Sequence, residues 1–312
     1  MEEREMKGVY SGHRVLKPRM PDTVKLSYPF FTAGKYIVKE EATMEKNVRG
    51  KVFLVTGGAM GMGKLVAERF GRDGARVVIW DVNKDALEKT EAEFKGKGYD
   101  VTTYVVDISD REAVYAAADR VKAEVGSVDV LMNNAGIVKG GHFLDTDDDD
   151  NFNTLGVNFI SQMWTCKAFL PDMAARNDGH VIAIASAAAI TPTPGASAYA
   201  ASKAAVRHWM DTLRWEFKER GKGGVKFTSI CPSIVKTGMF DGCEAPILSP
   251  FMEPEKMADK IYEGYHKDKT TVLEPFVVKL TPLMAVTLPE PVRYFMGKIL
   301  RLNSMFEGWV GH

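Results

Sequence analysis

The chain has 312 residues, of which 45% are hydrophobic and 26% charged, a balance typical of a folded globular protein. Its 41 Lys and Arg residues offset its 41 Asp and Glu residues, so no net positive field favours nucleic acid as a partner. Cys166, Cys231 and Cys243 lack metal-ligand spacing, which indicates reduced thiols in a cytoplasmic protein. The charged N-terminus and the lack of any run of about 20 apolar residues predict a soluble protein, or one attached peripherally to a membrane.

The order of the predicted elements indicates an α/β fold. Residues 1–48 carry Gly, Pro, Lys and Glu and are predicted to form an irregular N-terminal arm. From residue 51, short apolar runs alternate with amphipathic stretches, which predicts one doubly wound parallel sheet with helices on both faces. We predict strands at 52–56, 76–80, 102–106, 128–132, 179–184 and 226–230. We predict helices at 64–72, 84–97, 111–125, 148–175 and 197–220.

A glycine cluster follows the first predicted strand and precedes the first helix. Gly57, Gly61 and Gly63 let the backbone turn tightly and approach a pyrophosphate, which the N–H groups of the helix would bind. Asp81 ends the second strand, 18 residues after Gly63 and close to the spacing of about 20 expected for a ribose-binding acid. Its carboxylate would accept hydrogen bonds from the adenosine ribose hydroxyls and would repel a 2′-phosphate, which favours NAD over NADP. The alternative is an acid that caps the next helix.

Tyr199 and Lys203 stand four residues apart in the predicted helix 197–220, so they share one face of it. An isolated phenol has a pKa of about 10, too high for a base at neutral pH. A neighbouring ammonium stabilises the phenolate and is expected to lower that pKa. The pair therefore predicts a proton-transfer device, the alternative being an exposed tyrosine beside a solvated lysine.

Three motifs in this order resemble the short-chain dehydrogenase/reductase family. They are Thr56-Gly57-x3-Gly61-x-Gly63, Asn133-Asn134-Ala135-Gly136 and Tyr199-x3-Lys203. Ser186 lies 13 residues before Tyr199, as that family requires. The match covers roughly residues 50–240 and implies a Rossmann dinucleotide-binding and catalytic domain over 49–270 and NAD-dependent hydride transfer.

The resemblance also implies individual roles. Ser186 would orient the substrate oxygen, and Tyr199 would exchange its proton with that oxygen. Asn158, at the position of the family's fourth catalytic residue, would hold a water that links Lys203 to solvent. Asn134 would stabilise the fourth strand, and Thr237 would contact the nicotinamide carboxamide. The remaining cofactor contacts are expected from Met62, Asp107, Ile108, Ala135 and Gly136, with Asp107 and Ile108 beside the adenine ring.

The segment after Thr237 predicts the substrate class. By resemblance, residues 238–256 form the substrate loop, where Met239 and Phe240 contribute to an apolar pocket. No cation other than Lys236 is available to bind a carboxylate or phosphate, so a lipophilic alcohol or ketone is expected. This loop and the long tail are similar to the retinol and 17β-hydroxysteroid dehydrogenases.

Residues 271–312 are predicted to form a C-terminal amphipathic extension. Val292, Phe295, Met296 and Ile299 follow helical spacing within 291–302, accompanied by basic residues. Such a helix can contact a membrane, or it can pack against the core or a second subunit.

Family members associate through the helices at 150–175 and 199–220, which implies a homodimer or homotetramer. Trp164, Phe169, Trp209 and Trp215 are expected to supply apolar surface there. The acidic run 147–150 is explained by the start of a helix, so no metal site is predicted. Two alternative functions stay open: a 3-oxoacyl-type reductase of fatty-acid or polyketide metabolism, and a non-catalytic NAD(P)-binding scaffold or sensor.

Overall fold

The computed structural model describes residues 46–306 and 308–309, so the predicted arm over 1–48 lies outside the described residues except for its last three. The strands are β1 (Val52–Thr56), β2 (Arg76–Asp81), β3 (Val101–Val105), β4 (Val130–Asn133), β5 (Gly179–Ile184), β6 (Val225–Pro232) and β7 (Thr271–Glu274). The α-helices are α1 (Gly61–Arg72), α2 (Lys84–Gly96), α3 (Arg111–Glu124), α4 (Asp148–Leu155), α5 (Ser161–Arg176), α6 (Ser197–Glu219), α7 (Pro254–His266), α8 (Thr281–Thr287) and α9 (Glu290–Ile299).

The strands form one parallel sheet in the order β3-β2-β1-β4-β5-β6-β7. The chain builds outward from β1 to β3 and then crosses back to place β4 on the other side of β1. The connections on either side of this point leave in opposite directions and open a crevice at the carboxyl ends of β1 and β4. The predicted doubly wound α/β fold is confirmed.

Each face of the sheet is covered by helices and has its own apolar core. On one face Leu54 and Trp80 are fully buried, and the Trp80 ring lies 5.8 Å from that of Phe169 in α5. On the other face Phe53 stacks on Phe70 of α1, with ring centroids 3.9 Å apart. Burial of one such side chain contributes about 1.5–3 kcal/mol, so these contacts hold the strand ends in fixed positions.

The sheet contains a strand that the sequence pattern did not predict. β7 pairs with β6, aligning Ser229 with Thr271, and continues the sheet into the segment predicted as the C-terminal extension. Only Val272 of its four residues is buried, because β7 lies at the edge of the sheet. A single buried position gives no alternating pattern, so the strand could not be distinguished from a loop.

The helix predicted over 148–175 is interrupted. A five-residue π-helical turn, Gly156–Ile160, separates α4 from α5 and places Asn158 in the interior. Asp147 caps α4 by accepting a hydrogen bond from the Asp149 amide, as expected for an acidic run at the start of a helix. A π-helical turn contains the same residue types as an α-helix, and Gly156–Ile160 has no proline to mark a break, so the interruption was not predicted.

Three of the four aromatic residues expected on the outer surface are not freely exposed. Phe169 is buried in the core, and Trp164 and Trp209 are half-buried against it, whereas Trp215 is 70% exposed. The prediction that Phe169 supplies outer surface is therefore wrong, because α5 turns that ring towards Trp80. Within residues 46–306 and 308–309, no helix combines the length and the apolar character needed to cross a bilayer.

Candidate active site

The glycine turn between β1 and α1 is shaped by close contact with the end of β4. Gly57 and Gly61 have φ values of 61° and 55°, which side chains rarely adopt. A Cβ atom at Gly63 would lie 2.4 Å from the Gly57 carbonyl oxygen and 2.5 Å from Nδ2 of Asn134. Both distances are impossible for a real Cβ, so the turn requires glycine for its conformation and for its closeness to Asn134.

Asn134 and Thr56 join the ends of β4 and β1. The Asn134 amide donates to the carbonyl oxygens of Thr56 and Gly57 at 3.0 and 2.8 Å. The Thr56 hydroxyl in turn accepts from the backbone amides of Asn134 and Ala135, both at 3.1 Å. Thr56 is the first residue of the glycine motif, and its hydroxyl is a structural part of the site that the sequence did not indicate.

Asp81 is nearly buried and oriented by backbone amides. Its two carboxylate oxygens accept hydrogen bonds from Ala59 and Asn83, each at 3.0 Å. The cap of α2 is Asn83, whose side chain accepts from the Ala86 amide, so the alternative interpretation of Asp81 as the capping acid is wrong. An ionised carboxylate offers about four acceptor positions, which leaves capacity on Asp81 for two ribose hydroxyls.

Tyr199 and Lys203 occupy the first turns of α6 and are both buried, at 6% and 3% exposure. The Lys203 Nζ atom lies 5.6 Å from the centre of the Tyr199 ring and donates to the Ile184 carbonyl oxygen at 2.9 Å. Carbonyl and ring together fix the ammonium beside the phenol. The alternative of an exposed tyrosine with a solvated lysine is therefore excluded.

Asn158 supports the same corner from the π-helical turn. Its side chain accepts from the Ile137 amide at 2.8 Å and donates to the Ile137 carbonyl oxygen at 2.9 Å. It also donates to the Ser202 hydroxyl at 3.0 Å, and that hydroxyl donates to the Tyr199 carbonyl oxygen at 2.7 Å. A Cβ at Gly136 would lie 3.0 Å from Oδ1 of Asn158 and 3.3 Å from Nζ of Lys203, so the chain passes closely between them.

The pKa values of Tyr199 and Lys203 depend mainly on burial. Loss of solvation raises the pKa of Tyr199 to about 12, although a hydrogen bond with Ser186 opposes the shift. Burial lowers the pKa of Lys203 to about 8, which leaves it largely protonated at neutral pH. In the protein alone the largest influence on the pKa of Tyr199 is therefore desolvation of the phenolate, and the lowering expected from Lys203 stays a prediction.

One cavity of 390 Å³ joins the predicted cofactor and substrate residues. The predicted residues in its wall are Gly57, Gly61, Met62, Asp81, Asp107, Ile108, Asn134, Ala135, Gly136, Tyr199, Lys203, Thr237, Met239 and Phe240. Gly63, Asn158 and Ser186 are not part of this wall. Ser186 is 8% exposed, accepts from the Ala188 amide at 3.1 Å and reaches Tyr199 by the hydrogen bond noted above.

Several apolar residues of the wall were not predicted. They are Met60, Val82, Val106, Ile137, Val157, Ile184, Ala185, Pro232 and Val235. Ile184 and Pro232 end β5 and β6, so their position at the carboxyl edge of a parallel sheet was a usable signal. Val157 had none, since it belongs to the unpredicted π-helical turn.

The substrate side of the cavity is apolar. The Phe240 ring meets that of Tyr199 edge to face, with centroids 6.0 Å apart. Lys236, the nearby cation, forms an ion pair with Glu253 at 2.6 Å and is not among the residues of the cavity wall.

Known proteins share this arrangement. The family model for short chain dehydrogenase matches residues 51–246. Epidermal retinol dehydrogenase 2 of Mus musculus is 39% identical over 269 residues, covering 85% of this chain and 87% of the relative. Estradiol 17-beta-dehydrogenase 11 of Homo sapiens is 36% identical over 267 residues, covering 86% and 88%. A short chain dehydrogenase/reductase from Burkholderia phymatum in complex with NAD has a TM-score of 0.70 and 25% identity, covering 80% of this chain and 96% of that chain.

A doubly wound sheet with a glycine turn at its switch point is the fold of dinucleotide-binding oxidoreductases. The chain belongs to the short-chain dehydrogenase family, and its relatives include retinol and 17β-hydroxysteroid dehydrogenases. The resemblance stated from the motifs is thereby confirmed, both for the family and for the branch.

The raised pKa of Tyr199 predicts how rate depends on pH. With a pKa of about 12, the phenol is protonated at neutral pH, so oxidation of an alcohol, which needs the phenolate, should accelerate as the pH rises. Reduction, which needs the phenol, should gain nothing over the same range. Measuring kcat/KM in both directions against pH tests this, and the ultraviolet phenolate difference between wild type and Tyr199→Phe reports the ionisation directly. Ionisation of Tyr199 at or below pH ~10 in the protein alone would contradict the prediction.

Proposed function

We propose that this protein is an NAD-dependent dehydrogenase that transfers a hydride between nicotinamide and a lipophilic alcohol or ketone, of the steroid, retinoid or aliphatic class. The observation that carries the proposal is the single cavity that runs from Asp81 past Tyr199 to Phe240. Its wall joins the glycine turn and Asp81, where a dinucleotide would bind, to Met239 and Phe240, which lie with Tyr199 at its apolar end.

The residues of the crevice fit a nicotinamide dinucleotide. The glycine turn and the N-terminus of α1 would hold the pyrophosphate, and Asp81 would hold the adenosine ribose. Asp107 and Ile108 would flank the adenine, while Thr237 would contact the carboxamide. When bound, the nicotinamide accepts or supplies the hydride.

Proton transfer is the task of the protein's own side chains. Tyr199 removes the hydroxyl proton in oxidation and returns it in reduction, and Ser186 orients the substrate oxygen beside it. Lys203 contributes its positive charge, which favours the phenolate. With a pKa of about 8 it also exchanges protons readily near neutral pH. Asn158 keeps this corner rigid through Ile137 and Ser202, and its proposed role in a water link to solvent depends on that rigidity.

A lipophilic substrate is supported by the apolar lining around Met239 and Phe240 and by the pairing of Lys236 with Glu253. The names of the relatives, retinol and estradiol dehydrogenases, support the same class. No observation favours a 3-oxoacyl-type reductase, which usually implies NADPH. A non-catalytic scaffold would not need the buried Tyr199 and Lys203.

Cofactor preference tests the role of Asp81. We expect NAD to bind at least about tenfold more tightly than NADP, because the carboxylate accepts ribose hydroxyls and repels a 2′-phosphate. Asp81→Asn keeps a hydrogen-bond acceptor and removes the negative charge, so it should reduce the difference between the NAD and NADP affinities mainly by improving NADP binding. Asp81→Ala should reduce the same difference in affinity mainly by weakening NAD binding. Calorimetric titration of both cofactors measures this, with Asp85→Ala as the exposed acidic control; equal affinities in the wild type would refute the assignment.

Tyr199→Phe should abolish turnover and leave NAD affinity nearly intact, because only the proton-carrying hydroxyl is lost. General acid–base groups contribute about 10²–10⁴-fold, and the upper end is expected here. Lys203→Ala should reduce both turnover and cofactor affinity, since the resemblance implies that Lys203 supplies a positive charge beside Tyr199 and a hydrogen bond to the nicotinamide ribose. Steady-state rates and NAD titrations of each variant provide the test. Tyr294→Phe, an exposed tyrosine, is the control, and Tyr199→Phe activity above about a tenth of wild type would place the acid/base elsewhere.

We further propose a cytoplasmic homodimer or homotetramer with peripheral membrane contact through its C-terminal helices. The exposed Phe152 and Trp215 support assembly through α4 and α6. The membrane contact is supported by a second exposed apolar group on α8 and α9, which comprises Leu283, Val286, Val292, Phe295 and Ile299. Lys298 and Arg301 beside this group suit anionic lipid headgroups.

The two contacts predict different effects of substitution. Phe295→Asp should abolish flotation with vesicles that contain phosphatidylserine and leave the oligomer intact. Trp215→Asp should do the reverse, lowering the mass seen by light scattering at micromolar concentration. If Phe295→Asp dissociates the oligomer instead, α9 contacts a second copy of the chain and not a bilayer.

A further inference from the structure

The C-terminal tail, residues 300–306 and 308–309, packs against the substrate loop. The loop amides of Glu244 and Ile247 donate to the carbonyl oxygens of Met305 and Leu300 at 3.2 and 3.1 Å. The Trp309 indole N–H donates to the Met239 carbonyl oxygen at 3.3 Å. The tail therefore supplies three hydrogen bonds that fix where the backbone of the substrate loop runs.

An aromatic chain links the tail to the proton-transferring residue. The Phe306 ring meets Phe240 edge to face at 6.2 Å, and Phe240 meets Tyr199 in the same way at 6.0 Å. Phe306 is 7% exposed, although it lies near the end of the chain. It belongs to a small apolar cluster separate from both faces of the sheet, and Tyr199 and Cys243 are buried members of that cluster.

Two glycines on the body provide room for the two tail aromatics. A Cβ at Gly195 would lie 2.9 Å from Cβ of Phe306, and one at Gly140 would lie 2.6 Å from the Trp309 ring. Gly140 has no positive φ, so its backbone would accept a side chain. The close contact that excludes a side chain there is the contact with Trp309.

We propose that Phe306 and Trp309 are specificity-determining residues that close the apolar end of the substrate space and hold Met239 and Phe240 in place. The inference rests on the proposed function, since it concerns which alcohol reaches Tyr199. Phe306 packs edge to face against Phe240, and Trp309 donates a hydrogen bond to the backbone of Met239. Together they limit the bulk that a substrate can carry on its carbinol carbon.

Discrimination between small and bulky alcohols tests the proposal. We expect Phe306→Ala and Trp309→Ala to raise the kcat/KM ratio of a steroid alcohol to cyclohexanol by about tenfold or more, the size of effect that pocket contacts of this kind produce. NAD affinity should stay at the wild-type level. Phe276→Ala, which removes an aromatic side chain that is 70% exposed, should leave the ratio unchanged. An unchanged ratio in both tail variants overturns the proposal.

A double-mutant cycle tests the contact itself. Gly140→Ala in the wild type should shift the ratio in the same direction, because the methyl group displaces the indole. In the Trp309→Ala background the same change should have no further effect. Additive effects would show that Gly140 acts independently of the tail and would overturn the proposed contact.

Failure of the proposed function gives a different result. If the wild type oxidises no alcohol, the hydride-transfer assignment fails by itself. Equilibrium dialysis of the same variants with estradiol and with cyclohexanol then compares how much of each alcohol binds, with no reaction required. Tail variants that change the ratio of bound estradiol to bound cyclohexanol support the proposal that the tail closes the substrate space. Variants that leave this ratio unchanged overturn it.

Discussion

The closeness of the glycine turn to the end of β4 is the constraint on which the rest of the site depends. The Asn134 amide spans the gap and donates to the carbonyl oxygens of Thr56 and Gly57. Any side chain at Gly63 would force these segments apart, since its Cβ would lie 2.4 Å from the Gly57 oxygen. The strand order reverses between β1 and β4, so this contact shapes the crevice in which a dinucleotide fits.

The proton transfer proposed for Tyr199 would depend on a second set of buried polar contacts, arranged around the start of α6. Lys203 is held by the Ile184 carbonyl oxygen, and Asn158 is held by Ile137 and Ser202. Burial makes these bonds specific and also moves the two pKa values apart, raising that of Tyr199 to about 12 and lowering that of Lys203 to about 8. The site therefore combines a phenol that keeps its proton with an ammonium that gives its proton up readily. Cationic nicotinamide next to the phenol would favour its ionisation in the oxidative direction.

The substrate end is built from parts of the chain that are far apart in sequence. Met239 and Phe240 come from the loop after β6, and Phe306 and Trp309 come from the tail about 70 residues later. This division would let one chain combine the proposed hydride-transfer site with a selective apolar pocket.

The sequence by itself determined the sheet, the glycine turn of the crevice and the placing of Tyr199 and Lys203 on one face of a helix. Strands and their following turns are encoded locally, by apolar runs and by glycines such as Gly57 and Gly61 whose backbone angles only glycine adopts readily. Tertiary structure alone decided the π-helical turn around Asn158, the edge strand β7 and the seat of Trp309 against Gly140. It also decided the pKa of Tyr199, since the sequence shows that a lysine is near but not how much water is removed. Contacts between segments that are far apart in the chain produce no periodic pattern in the sequence. The features that the sequence did not predict depend on such contacts.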